Sequence, residues 1–199
     1  MKRKLIAFSI LAICLCICCG STLAYFSTTD TVRNVITAGN IGIQIVEKMK
    51  VGDTEVDFPQ KGISGVMPGT TVSKIVSVAN TGDGEAWIRV KVETSLLNAD
   101  GAPLSGKIKT AKGTTVPALS FAVEDGWVLG EDGYYYYTSS VPAGKSTGVL
   151  FREVGFAREM NNDYQNCTAN IQIYAQAVQT IHNPIPENGT VEDIPGWPD

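Results

Sequence analysis

Side chains able to do chemistry are few in this chain, and their spacing is poor. His182 is the one histidine among 199 residues, and Asn183-Pro184 follows it directly. Zinc hydrolysis asks for three protein ligands, commonly two histidines four apart on a helix with a glutamate beside the first. No HExxH occurs in the sequence. A zinc site would have to rest on carboxylates alone, or on Cys167 with His182. A serine or cysteine nucleophile needs a base, and the sole imidazole would have to supply it. Three loops carry oxygen ligands that suit calcium: Asn98 to Gly101, Glu131 to Gly133 and Asn161 to Asp163. Asp-Gly and Asn-Gly pairs are turn chemistry first, and the spacing of a twelve-residue calcium loop is absent. The expectation is therefore no catalytic, metal or cofactor residue, with His182 solvated at the surface.

Elements that could position such groups begin only after a distinct leader. Met1-Lys2-Arg3-Lys4 is basic, and Leu5 to Cys19 is a run of 15 residues without a charge. A bilayer-spanning helix needs about 20 apolar residues. Thr22 and Ala24 are small and sit at the minus-three and minus-one positions of a cut before Tyr25. Residues 1–24 read as a secretory signal peptide, helical while it lasts. A retained anchor and a lipoprotein at Cys18 or Cys19 are the alternatives; Ile17 or Cys18 would precede the lipidated cysteine, where Gly, Ala or Ser is usual. Loss of Lys2, Arg3 and Lys4 takes the basic residues from 16 to 13 against 20 acidic ones, a net charge of −7. An acidic surface repels phosphate backbones and argues against nucleic acid as a partner. Cys14, Cys16, Cys18 and Cys19 leave with the leader. The remaining Cys167 has no partner for an intramolecular disulfide and reads as a small buried hydrophobe.

The rest of the chain alternates with period two. Ile41, Ile43 and Ile45 share one face, and Val72, Val76 and Val78 share another with Lys74 as the outlier. Asn80 to Gly84 is dense in turn formers and predicts a hairpin. Ile88, Val90 and Val92 alternate with Arg89, Lys91 and Glu93, so one face meets a core and the other meets water. Residues 98–117 read as a long loop or weak edge hairpin. Gly130 to Gly133 predicts the turn of a second hairpin, followed by Tyr134 to Tyr137 with two rings on each face. Trp87, Trp127, Tyr135 and Tyr137 are the candidates for an aromatic contact surface; packing of such rings in the core is the alternative. Ile171, Ile173, Ala175 and Ala177 line one face of a long last strand. Residues 184–199 carry four prolines and no periodicity, and read as an extended or disordered tail. The sum is an all-β chain, an antiparallel jelly-roll-like sandwich over 25–183 between the signal segment and the Pro-rich tail.

Four stretches, in order, resemble the TasA/camelysin family of Gram-positive exported proteins. "GSTLAYFSTTDTVRNVITAGNIGIQI" has a small-residue cleavage site, then Tyr25-Phe26, a Ser/Thr/Asp cluster, Asn34, Gly39 and an aliphatic strand. "MPGTTVSKIVSVANTGDGEAWIRVKV", "GYYYYTSSVPAGKSTGVLF" and "AQAVQTIHN" follow. The resemblance implies export through a SipW-type signal peptidase that would recognise Thr22, Ala24 and Tyr25, with membrane contact only during export. It implies a secreted protein of the cell surface or biofilm matrix that assembles with itself and with related matrix proteins into fibres. The expected assembly strand runs from Tyr25 to Val46 and includes Tyr25, Phe26, Val35, Ile41, Ile43 and Ile45. Strand addition to the next subunit would join the copies. A monomeric surface adhesin is the alternative. A camelysin-type metallopeptidase, which the resemblance also raises, lacks a catalytic motif here.

Overall fold

The structure is a computed structural model that describes residues 26–32, 36–37 and 42–198. The expected signal segment, with Thr22, Ala24 and Tyr25, and also Val35 and Ile41, lie outside the described residues. In chain order the strands are β1 (Phe26–Val32), β2 (Ile36–Thr37), β3 (Ile43–Val51), β4 (Thr54–Asp57), β5 (Ile63–Val66), β6 (Thr71–Asn80), β7 (Ala86–Leu97) and β8 (Pro103–Leu104). They continue as β9 (Lys107–Lys109), β10 (Thr115–Pro117), β11 (Leu119–Ser120), β12 (Trp127–Leu129), β13 (Tyr135–Tyr137), β14 (Phe151–Phe156) and β15 (Thr168–Gln179). Two short 3-10 turns, Asn162–Tyr164 and Val191–Asp193, are the helical elements of the described residues.

The chain forms an all-β sandwich. One sheet has the order β12-β13-β7-β15-β1-β5, with β2 beside β15 and β8 beside β7; the other has the order β11-β14-β6-β3-β4. Strands β9 and β10 make a separate hairpin within the stretch 98–117. The longest ladder joins β7 and β15 antiparallel, from Thr168 opposite Leu97 to Gln179 opposite Ala86. Period-two alternation explains its inner face. Ile88 and Val90 on β7, and Ala169, Ile171, Ile173, Ala175 and Ala177 on β15, are all buried. They meet Ile43, Ile45, Val76 and Val78 of the opposite sheet in one cluster. At 20–33 cal/mol per Å² of apolar surface removed from water, that shared face is the main stabilising contribution.

The structure departs from the sequence reading at Asn80 to Gly84. These residues do not close a hairpin, because β6 and β7 lie in different sheets and the stretch carries the chain across the sandwich. Asn80 is buried and holds the crossing together. Its Nδ2 donates to the carbonyls of Gly84 and Val141, each at 2.8 Å, and its Oδ1 accepts from Gly82 N–H at 3.0 Å. The predicted turn at Gly130–Gly133 does close a hairpin, with Trp127 opposite Tyr137 and Leu129 opposite Tyr135.

Lys74 is accommodated by pairing. Its side chain is 1% exposed and its Nζ donates to Glu47 Oε1 at 2.8 Å. The ammonium also sits 4.1 Å from the centre of the Phe58 ring. A buried charge needs such company, because its desolvation cost is several kcal/mol.

Candidate functional site

The two ends of the described chain meet the same sheet. At the N-terminal end, β1 lies between β15 and β5. It pairs parallel with β15, from Ser27 beside Thr168 to Val32 beside Ile173. It pairs antiparallel with β5 at Phe26–Val66 and Thr28–Ile63, with a register shift between them. β2 continues the parallel run at Gln176 and Ala177. Parallel neighbours joined in one chain normally need a crossover connection. Here the two partners are the first and last strands of the fold, so no local connection dictates their pairing. The slot is defined by backbone groups of β15 and β5, and β1 is tied to the body through residues 33–42.

The expected assembly strand is therefore not one strand. Phe26 belongs to β1 in one sheet, whereas Ile43 and Ile45 begin β3 in the other. There β3 is an inner strand, paired with β6 from Ile43–Asn80 to Lys48–Ile75 and with β4 on its far side. Ile43 and Ile45 are buried in the common core. Their alternation serves the body.

The aromatic contact candidates are also redistributed. Trp127 is in the core, and Tyr135 and Tyr137 are half-buried against it. The Trp127 and Tyr137 rings meet at a tilt of 52° with centroids 5.1 Å apart. Trp87 is half-buried on the opposite face of the same sheet, where its Nε1 donates to the Asn183 carbonyl at 3.0 Å. None of the four is an open contact surface. Large rings on a sheet bury 150–250 Å² each when covered, and here they are covered.

What covers the outer face is the C-terminal segment, which is ordered on the body rather than an extended or disordered tail. Val191 and Ile194 are buried and pack with Tyr136 and Val178; Trp87, Tyr134 and Trp197 flank that cluster. The segment is organised locally. Thr190 caps the Val191–Asp193 turn in a reciprocal box with Asp193, which satisfies the first free N–H groups of the turn. Trp197 Nε1 donates to the Val191 carbonyl at 3.2 Å. Gly196 has φ +89, and a Cβ there would fall 2.6 Å from Asn183 Oδ1, so the bend requires glycine.

Arg89 is the centre of this face. On β7 it alternates outward, as the sequence predicts, yet it is buried under the tail, 7% exposed. Nε donates to Gln176 Oε1 at 2.8 Å, and Nη1 donates to Asp132 Oδ2 at 3.1 Å and to the Tyr136 hydroxyl at 2.9 Å. Nη2 donates to the Pro198 carbonyl at 2.6 Å. The guanidinium lies 4.0 Å from the Tyr134 ring centre and 4.9 Å from that of Trp197. Burial pushes the Asp132 carboxyl up, but the Tyr134 N–H, the Tyr136 hydroxyl and the Arg89 charge outweigh it and hold the group below the ordinary aspartate range. Burial raises the Tyr136 hydroxyl, and its donated hydrogen bond to Asp132 raises it further. A fixed guanidinium flanked by aromatic planes binds carbonyl and carboxylate oxygens and stacks on rings.

The remaining chemical candidates are dispersed. His182 is exposed, with φ 73. Cys167 is fully buried and its thiol is pushed up to about 11 by burial. Asn98 Oδ1 accepts from the backbone of Asp100 and Ala102, and Asn161 Oδ1 accepts from Asp163 N–H, so these loop oxygens are engaged in turns. Among the described residues no three His, Cys, Asp or Glu side chains converge as a metal group. Gly144-Lys145-Ser146-Thr147-Gly148 spells G-x-S-x-G, which corrects the expectation that the sequence holds no such signature. Ser146 there bridges to Ala79 beyond a turn, and no helix follows, whereas a nucleophile elbow sits between a strand and a helix.

No protein-family model matches the chain, and no curated protein matches it either.

Proposed function

We propose that this protein is a secreted structural subunit of a cell surface or biofilm matrix, of the TasA/camelysin kind, that joins copies head to tail by strand exchange. The observation that carries the reading is the place of β1. A strand next to a protease-type small-residue motif fills an inner position of a sheet through backbone pairing with β15 and β5. The same position can be filled by β1 of a second copy, since the ladder reads backbone groups and register. Such a contact is heterologous and does not close, so it propagates as a filament. The donor is the segment Phe26–Val32, shorter than the sequence reading expects, and β3 remains with the acceptor body. A SipW-type signal peptidase acting before Tyr25 would release the donor; related matrix proteins with a similar strand would co-assemble.

The test is deletion of Phe26–Val32 from the exported protein, followed by negative-stain electron microscopy. Fibres are expected from the parent and none from the deletion. Undiminished fibres from the deletion would reject the mechanism. The adhesin reading draws no support from Trp127, Tyr135 and Tyr137, which pack against the core.

A further inference from the structure

We propose that the outer face around Arg89 is a receptor for the C-terminal segment of a second copy of this chain, with Trp197 and Pro198 as the anchors. The inference does not rest on strand exchange by β1.

The receptor is preformed. Three of the four guanidinium hydrogen bonds above go to Gln176, Asp132 and Tyr136 on the body, and one goes to the tail. Departure of the tail leaves Arg89 partnered, so the pocket keeps its shape. The ligand is preformed as well. The capping box at Thr190, the Trp197–Val191 bond and the Gly189 N–H to Pro186 carbonyl bond at 2.9 Å are all internal to the segment. Two preorganised halves exchange partners at low cost, because neither must be reordered on binding.

The link between them is built to pivot. Trp87 anchors the carbonyl of Asn183, and the docked part begins at Val191. Within it Asn188 is a non-glycine residue in the left-handed region, at φ 71. Such backbone is strained relative to extended conformations that an opened link would allow.

Charge also suits exchange rather than permanent closure. Residues 184–199 carry Glu187, Glu192, Asp193 and Asp199 and no basic residue, so Arg89 attracts the segment. At the rim, however, Glu131 and Asp132 face Glu192 and Asp193 across an open cavity of about 450 Å³. These like charges oppose docking within a Debye length of about 8 Å at physiological salt. A short link gives the attached tail an effective concentration on the order of millimolar. A neighbour's tail therefore competes where copies are packed to that density, as they are in an assembly.

The experiment uses the full mature chain with a protease site inserted between Glu187 and Asn188, folded and then cut. A fluorescent peptide of residues 184–199 is added, and capture is read by anisotropy. Capture by the cut chain is expected. It should weaken at least tenfold when the peptide carries Trp197→Ala, a change that leaves the body untouched, and at least tenfold with Arg89→Ala in the body. The uncut chain should need at least tenfold more peptide, since its own tail competes. In parallel, uncut chains near millimolar concentration should sediment with a dimer that Trp197→Ala removes. Absence of capture by the cut chain would overturn the proposal. Equal binding of the Trp197→Ala peptide, equal capture by cut and uncut chains, or no Trp197-dependent dimer would do so too.

Discussion

The N-terminal strand and the C-terminal segment lie on the same sheet but are held by opposite means. β1 is held edge-on, by a backbone ladder to β15 and β5. The C-terminal segment is held face-on, by side chains: Arg89, Trp197, Val191 and Ile194. A ladder is tolerant of sequence, because every residue offers the same N–H and C=O. Each ladder bond nets only about 1 kcal/mol, and fixing a backbone residue costs about as much. The face-on contact depends instead on a few large groups, so single substitutions decide it. Under the function proposed here, the first would act as a general connector and the second as a selective one.

The largest effect that would break this comparison is on assembly. Removal of Phe26–Val32 should abolish fibres, whereas Trp197→Ala should leave them visible by negative stain. Loss of fibres in both would mean that the ends act as one device. The next effect calibrates the body between them. Lys74→Ala removes the ammonium that donates to Glu47, which is 9% exposed, and should lower unfolding free energy by about 3 kcal/mol in urea titration. A loss below about 1 kcal/mol would show that Glu47 is not held by Lys74. A smaller effect belongs to Arg89→Ala, which takes the Nε donor from the buried Gln176 and leaves the Tyr136 hydroxyl bonded to Asp132 alone. It should cost about 1–3 kcal/mol and free the tail to limited proteolysis after Asn183. Intact protection of the tail would deny Arg89 its place in the latch.

The smallest effect is with pH. Asp132 has a folded-state value held below its usual one, so its contribution is complete above the unfolded value of about 3.9 and fades as pH falls through the folded value. Its carboxyl is 42% exposed, so solvent screens the gain. The urea-unfolding free energy should fall below about pH 4 through this group and stay flat between pH 5 and 8. The Asp132→Asn variant should lose that dependence. A transition centred near neutrality would point to another group.

Much of the sandwich was legible because one face of each long strand must be apolar. β7, β15 and the Gly130–Gly133 hairpin follow from alternation and turn chemistry alone. Asn80 to Gly84 shows the limit: turn formers say that the chain bends, not whether it returns to the same sheet. Ile43 and Ile45 show another. Their alternation marks a half-buried strand, but only the pairing partners reveal that β3 belongs to the body and β1 to the slot. The tail was illegible because its anchors, Val191, Ile194 and Trp197, follow no period; they fit a surface instead of generating an element. Arg89 carries no signal at all as a buried residue, since it alternates correctly outward and a segment about 110 positions further on covers it.

By itself the sequence determined the fold class and the burial of Cys167, because composition and period-two patterning are local properties. It also placed the polar residues that bend each turn. Tertiary structure alone decided which strand β15 would accept beside it and what would lie over Arg89. Backbone ladders and face-on packing join residues far apart in the chain, and no local pattern encodes which distant partner completes them.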